Sequence, residues 1–300
     1  MKVVCLPDAE AERLVQPLPA NIRTVIWDGV GPPPEEHIAF LVPGYSRVRA
    51  RPLPTLADLE VVQLTSAGLN GWDEVLPDGV TLCNGRGVHG RSTAELAVAG
   101  LLAVLRDLPL FMAQQRAAVW ERRQGNDLDE RRVLIIGAGD IGLRIKAAVE
   151  VFGADVTMVA RTPRPGVRVL AELPELLPRA EVVALAVPET PGTAGLVDAR
   201  FLAALPDGAV LVNVSRGSVV VTDDLIVELN RGRIKAFLDV ADPEPLPSQH
   251  PLWTAPNVII TPHVGGGTMG WQRRAFAMVR DQIERYASGQ PLLNVVTGEY

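Results

Sequence analysis

The chain has little sulfur and no excess of positive charge. Its two cysteines, Cys5 and Cys83, lack both the C-x-x-C spacing of a zinc or redox motif and the density of a disulfide scaffold. That pattern predicts a reduced, cytoplasmic setting, and no metal site is expected. Lysine plus arginine total 29 against 35 acids, a formal charge of -6 with a pI near 5.4. This balance argues against nucleic-acid and membrane-surface partners and leaves small anionic ligands open. A membrane span is also lacking. The longest apolar stretch, Ala94 to Met112, contains Glu95, Arg106 and Asp107 and is expected as a buried helix. The opening Met-Lys-Val-Val-Cys-Leu-Pro-Asp is too short an apolar run for a signal peptide and reads as a first strand. Neither internal repeats nor low-complexity tracts are evident.

What the chain does have is the composition of a globular protein, 47% hydrophobic and 21% charged, over 300 residues, enough for two domains. Its sharpest motif is Gly137-Ala-Gly139-Asp140-Ile141-Gly142, preceded by the apolar run Val133 to Ile136 and followed by a helix-compatible segment, Leu143 to Phe152. A buried strand entering G-x-G-x-x-G and then a helix is the arrangement that binds a dinucleotide. Gly137 permits the tight turn, Gly139 lets backbone approach a pyrophosphate, and Gly142 allows close helix packing. A purely structural glycine turn is the competing reading, and the flanking strand and helix weigh against it.

Candidate strands before residue 93 are Lys2 to Leu6, Thr24 to Trp27, Ala39 to Val42, Val61 to Leu64 and Thr81 to Cys83. Those after the glycine motif are Val156 to Ala160, Val182 to Val187, Ala209 to Val214, Ile234 to Val240 and Val258 to Thr261. Helix-like segments at Pro174 to Arg179, Ala199 to Ala204 and Thr222 to Arg231 fall between most of the second set. Such alternation predicts an α/β fold with a doubly wound parallel sheet.

At the end of the second Rossmann strand an acid commonly holds the adenosine ribose of NAD. Here the sequence reads Ala160-Arg161-Thr162-Pro-Arg164. A guanidinium pairs with a 2'-phosphate that a carboxylate would repel, so NADP(H) is favoured while NAD(H) stays open. The alternative is that Arg161 is only a solvated loop residue.

Three later strand ends carry chemistry. Asn213-Val-Ser-Arg216-Gly217, Asp239-Val-Ala-Asp-Pro-Glu244 and Thr261-Pro-His263-Val-Gly265-Gly266-Gly267 each follow an apolar run. Singly they read as a surface arginine, a solvated acidic loop and a partly buried histidine. Together they make a hydride-transfer site for a 2-keto acid. Arg216 would grip the carboxylate and polarise the carbonyl, and His263 would exchange the proton, since imidazole titrates near neutral pH. Glu244 would fix the His263 tautomer and support the imidazolium.

These landmarks, with Ser66-Ala67-Gly68-Leu-Asn and Ser92-Thr-Ala-Glu95-Leu, span essentially the whole chain, which resembles the D-isomer-specific 2-hydroxyacid dehydrogenase family. The resemblance implies Arg216, Glu244 and His263 as the catalytic set, with Asp239 at the nicotinamide carboxamide. It also implies that backbone amides near Ala67 and Gly68 hold the substrate carboxylate. Pro188, Thr193, Val214 and Ser215 would line the cofactor groove, with Thr162, Arg164, Gly265 and Gly266 counted among the cofactor residues. It further implies two Rossmann-like domains. A cofactor domain, residues 93 to 268, is inserted into a flavodoxin-like substrate domain, residues 1 to 92 plus 269 to 300, with the site in the cleft and closure excluding water. A homodimer through the cofactor domain is implied as well, with Ala94 to Arg123 as interface or, equally, as plain core helix.

Several departures narrow the expected substrate. The core runs to Tyr300 without a regulatory segment, which points away from phosphoglycerate dehydrogenases. Glu244 stands where formate dehydrogenases have glutamine, and phosphite enzymes carry a lysine near Ala67. The expectation is therefore a reductase of glyoxylate, hydroxypyruvate or a similar small 2-keto acid, giving the D-2-hydroxy acid. A phosphoglycerate dehydrogenase-like enzyme and a non-catalytic NAD(H)-sensing corepressor remain the alternatives.

Overall fold

The computed structural model describes residues 1–34, 37–44, 56–69 and 71–297. Asn70, which closes the Ser66 landmark, lies outside them. The chain divides into two compact units, Met1–His89 with Thr268–Tyr300, and Gly90–Gly267.

In the first unit the elements are β1 (Lys2–Leu6), α1 (Ala9–Val15), β2 (Ile22–Ile26), β3 (Ile38–Leu41), β4 (Val61–Gln63), α2 (Trp72–Val75) and β5 (Thr81–Cys83). Asp8 starts α1 by accepting a 2.7 Å bond from the Ala11 amide, and Glu10 and Glu12 suit the positive helix end. The strands pair in parallel in the order β2-β1-β3-β4-β5, the flavodoxin-like order. One face packs Val4, Leu6 and Phe40 against residues from the end of the chain, and the other packs Val3, Cys5 and Val62 with Trp27. Burial pushes the Cys83 thiol up to about 11, so it stays protonated at neutral pH and offers no nucleophile.

The second unit comprises α3 (Gly90–Leu105), α4 (Leu108–Arg116), β6 (Arg132–Ile136), α5 (Asp140–Glu150), β7 (Asp155–Ala160), β8 (Val167–Val169) and α6 (Leu173–Leu176). It continues with β9 (Val182–Leu185), α7 (Ala199–Ala204), β10 (Val210–Asn213), α8 (Thr222–Asn230), β11 (Lys235–Leu238) and β12 (Val258–Ile260). Seven parallel strands run β12-β11-β10-β9-β6-β7-β8, with apolar clusters on both faces. Chain order reverses between β6 and β9, so the switch point of this doubly wound sheet falls at the strand that enters the glycine motif. Gly100 lets α3 press onto the sheet, where a Cβ would lie 2.3 Å from the Phe237 ring. The chain then returns to the first unit through α9 (Trp271–Ser288), whose Phe276, Val279 and Ile283 complete that core. Val295 next bridges Cys83 in antiparallel fashion at the β5 edge.

Three expectations need correction. The helix expected as buried from Ala94 to Met112 is two helices bent by 68°, and only the first is core. Asp107 adopts left-handed backbone (φ 51) and Pro109 stands at the start of α4, which has no buried residue. Strand β8 went unread because Val167-Arg-Val169 is a three-residue edge strand with too little alternation to register. The helix after the glycine motif begins at Asp140 rather than Leu143, because its first turn is the motif itself. Among the described residues no single helix is long and apolar enough to cross a membrane.

Candidate active site

The glycine turn leaves β6 as its sequence demands. Gly137 has φ 114, and a Cβ there would lie 2.2 Å from the Ala186 carbonyl oxygen; one on Gly142 would lie 1.9 Å from the Gly137 oxygen. Gly139 differs, because a Cβ there would meet nothing within 4 Å. Two glycines are therefore required by protein packing, and the third faces open space where a pyrophosphate fits. The amides of Asp140, Ile141 and Gly142 begin α5 without an acceptor among the described residues, which suits an anion. Asp140 and Ile141 offer only those amides. The Asp140 carboxylate accepts from Arg144 Nε at 2.8 Å and packs beside Gly90, while the Ile141 side chain packs against the core.

Beyond β7, Arg161 and Thr162 are exposed, and Arg161 makes no side-chain bond among the described residues. Arg164 Nη2 donates to the Ala138 carbonyl at 2.8 Å, which ties this loop to the glycine turn. The turn, the helix start and the free guanidinium fit a dinucleotide bearing an extra phosphate. Pro188 is exposed beyond β9. Thr193 is buried, and its hydroxyl donates to the Pro188 carbonyl at 2.7 Å and accepts from the Thr190 amide at 2.8 Å. It locks the loop and has no hydroxyl left to present.

The three chemistry-bearing loops leave adjacent parallel strands, β10, β11 and β12. Asn213 shapes the first: its Oδ1 accepts from the Ser215 amide and hydroxyl, and its Nδ2 donates to the Arg216 carbonyl. Val214 and Ser215 are buried, so backbone alone is available there. Arg216 donates from Nη1 to the Ser215 carbonyl at 2.7 Å and pairs with no carboxylate among the described residues. Gly217 lets this loop meet the next one, since a Cβ would lie 2.0 Å from the Ala241 oxygen.

Asp239 organises the third loop. It is buried, and it accepts from Thr261 Oγ1 at 2.6 Å, the Val264 amide at 2.9 Å and the Gly265 amide at 2.8 Å. Oδ1 takes two of these bonds and Oδ2 one, so Oδ2 keeps an acceptor site. The work of Asp239 is visible in His263, held at φ 54, where a left-handed non-glycine residue costs about 1–3 kcal/mol. Three bonds to a carboxylate, each worth about 1.5–3 kcal/mol, outweigh that cost. The His263 ring is 39% exposed, and its Nδ1 lies 2.7 Å from Glu244 Oε1. A carboxylate only accepts, so Nδ1 carries the hydrogen and Nε2 is left for proton exchange.

In the first unit Ser66 Oγ donates to the Gly68 carbonyl and Asn84 Nδ2 to the Ala67 carbonyl. The amides of Ala67 and Gly68 have no acceptor among the described residues. The roles of Asn213, Thr261 and Asn84 were not read from sequence. A polar residue closing an apolar strand was the available signal for each.

Residues 98–265 match the profile described as D-isomer specific 2-hydroxyacid dehydrogenase, NAD binding domain. The chain belongs to this family. As a member it is an NAD(P)-dependent oxidoreductase, as the resemblance implied. The Homo sapiens glyoxylate reductase/hydroxypyruvate reductase is 34% identical over 250 residues, 79% of this chain and 76% of that protein. A D-isomer specific 2-hydroxyacid dehydrogenase from Xanthobacter autotrophicus Py2, solved with NADPH and MES, matches with a TM-score of 0.83 at 30% identity over 99% of this chain and 98% of that one. The NADPH-dependent glyoxylate/hydroxypyruvate reductase of Sinorhizobium meliloti, solved with NADP and sulfate, matches with a TM-score of 0.84 at 27% identity, again over 99% and 98%.

Proposed function

We propose that this member of the family reduces a small 2-keto acid, of the glyoxylate or hydroxypyruvate type, to its D-2-hydroxy acid with NADPH. The observation that carries the reading is the His263–Glu244 pair at 2.7 Å on a strand end adjoining the one that presents the unpaired Arg216. When bound, the nicotinamide cofactor supplies the hydride. Arg216 holds the substrate carboxylate through paired donors and draws charge from the carbonyl. His263 delivers a proton from Nε2 to the carbonyl oxygen, and Glu244 stabilises the imidazolium and fixes the ring. In oxidation the same nitrogen takes the proton back. Asp239 acts earlier, by building the loop that sets the ring.

Selection of NADPH falls to the β7 end, where, among the described residues, Arg161 pairs with no carboxylate and the loop Arg161-Thr162-Pro-Arg164 carries no acid to oppose a 2'-phosphate. Following absorbance at 340 nm with glyoxylate and hydroxypyruvate, we expect NADPH to be preferred over NADH by about tenfold or more, and Arg161→Glu to erase the preference. Cofactor binding without oxidation on any 2-keto acid would instead support a sensor. Equal use of the two cofactors by the wild type would remove the role of Arg161.

We also propose a homodimer through the cofactor unit. Leu108, Met112, Val119 and Trp120 are exposed, the last at 97%, along one segment. A monomer mass at all concentrations would contradict it. Cytoplasmic placement is part of the same proposal and is supported by the two free, buried thiols.

A further inference from the structure

The loop that carries Glu244 has few means of holding its own shape. It reads Asp242-Pro243-Glu244-Pro245-Leu246-Pro247, where a proline at every second position fixes φ and removes a backbone donor. Among the described residues none of the backbone amides from Asp242 to Gln249 donates a hydrogen bond. Leu246 packs against the apolar core of the unit, and the Ala241 carbonyl lies against Gly217. Glu244 itself is exposed. A carboxylate that fixes an imidazole ring from a loop without internal bonds must be held from outside the loop.

Two side chains do this. Thr222 is the first residue of α8, whose cap at Val221 has no side-chain bond. A threonine at a helix start often spends its hydroxyl on its own helix; here Oγ1 donates instead to the Asp242 carbonyl at 3.0 Å. Trp253 stands on the short turn Pro251–Thr254, which the buried Leu252 anchors. Its ring is half in water, 48% exposed, yet its Nε1 donates to the Pro247 carbonyl at 2.9 Å, and the His250 amide joins it there at 3.0 Å. Thr222 and Trp253 thus grip one carbonyl before Glu244 and one after it, with stiff proline backbone between. All of these residues, with His263, lie in one unit.

We infer that Thr222 and Trp253 are positioning residues that clamp the Glu244 loop from both ends and so set the His263 ring for proton transfer. Their role rests on the reading above, in which Glu244 orients His263. It runs through the His263–Glu244 bond at 2.7 Å, so removing either donor should impair proton delivery and leave the binding of substrate and cofactor alone.

The test compares the wild type with Thr222→Val, Trp253→Phe and the double variant, each of which removes a donor and largely keeps the shape. With hydroxypyruvate and NADPH, kcat of the double variant should fall about tenfold while both KM values stay within about threefold. Each single variant should lose about threefold in kcat, and Thr222→Ser, which keeps the hydroxyl, should match the wild type. Nitrogen NMR of the imidazole ring, at a pH where it is neutral, reads which His263 nitrogen carries the hydrogen. His263→Asn identifies the signal, and Glu244→Ala gives the limit without a partner. The wild type should hold the hydrogen on Nδ1, and the double variant should move it toward Nε2. Should the double variant fail to fold, the single variants are read in its place. An unchanged kcat, a loss shared equally by kcat and KM, or a loss of kcat with an unmoved hydrogen marks a merely structural contact and overturns the inference. If the wild type reduces no 2-keto acid at all, the reading of the site fails. The ring hydrogen then still decides the clamp: its move toward Nε2 in the double variant upholds it, and an unmoved hydrogen overturns it.

Discussion

Replacing His263 is expected to lower the rate of 2-keto acid reduction by about 10²- to 10⁴-fold, the range that a positioned general acid supplies, while NADPH affinity changes little. Its Nδ1 is committed to Glu244, so Nε2 is the expected proton source, and the Asp239-built loop keeps the ring in place. The choice of variant matters because residue 263 has φ 54. Alanine tolerates that backbone poorly, so His263→Asn, which suits left-handed backbone, separates lost chemistry from a collapsed loop. Single-turnover rates with NADPH titrated by fluorescence check both halves. A His263→Asn enzyme within about threefold of the wild type would show that another group donates the proton.

Arg216→Lys is expected to be nearly as damaging as Arg216→Ala, with kcat/KM lower by about 10²- to 10³-fold in each. Arg216 pairs with no carboxylate among the described residues, so its charge is available to the substrate. A lysine keeps the charge but not the planar pair of donors. The loss should fall on kcat as well as KM, because polarisation of the carbonyl strengthens as negative charge develops on its oxygen. Full activity in Arg216→Lys would reduce the residue to a non-specific positive charge.

Much of the fold was legible because both sheets are parallel and buried on both faces, so their strands read as short apolar runs. Thr81–Cys83 and Ala199–Ala204 coincide with their expected limits. What escaped were features decided by single residues against tertiary neighbours. At the bend, Asp107 pairs with Lys235 at 2.6 Å, more than a hundred residues away, a contact that no local pattern announces. The site shows the same division. Arg216, Glu244 and His263 were visible as polar residues following apolar strands, whereas the hydrogen-bond sets of Asp239 and Thr193 exist only once the loops are folded. A buried acid and a ligand-facing acid look alike in sequence.

A ketone held by a fixed carboxylate clamp beside a fixed proton donor is expected to be reduced on one face. Chiral analysis of the product formed from hydroxypyruvate and NADPH tests this most directly. D-glycerate is expected as the single product; L-glycerate, a racemate, or no glycerate would contradict the assigned roles of His263 and Arg216.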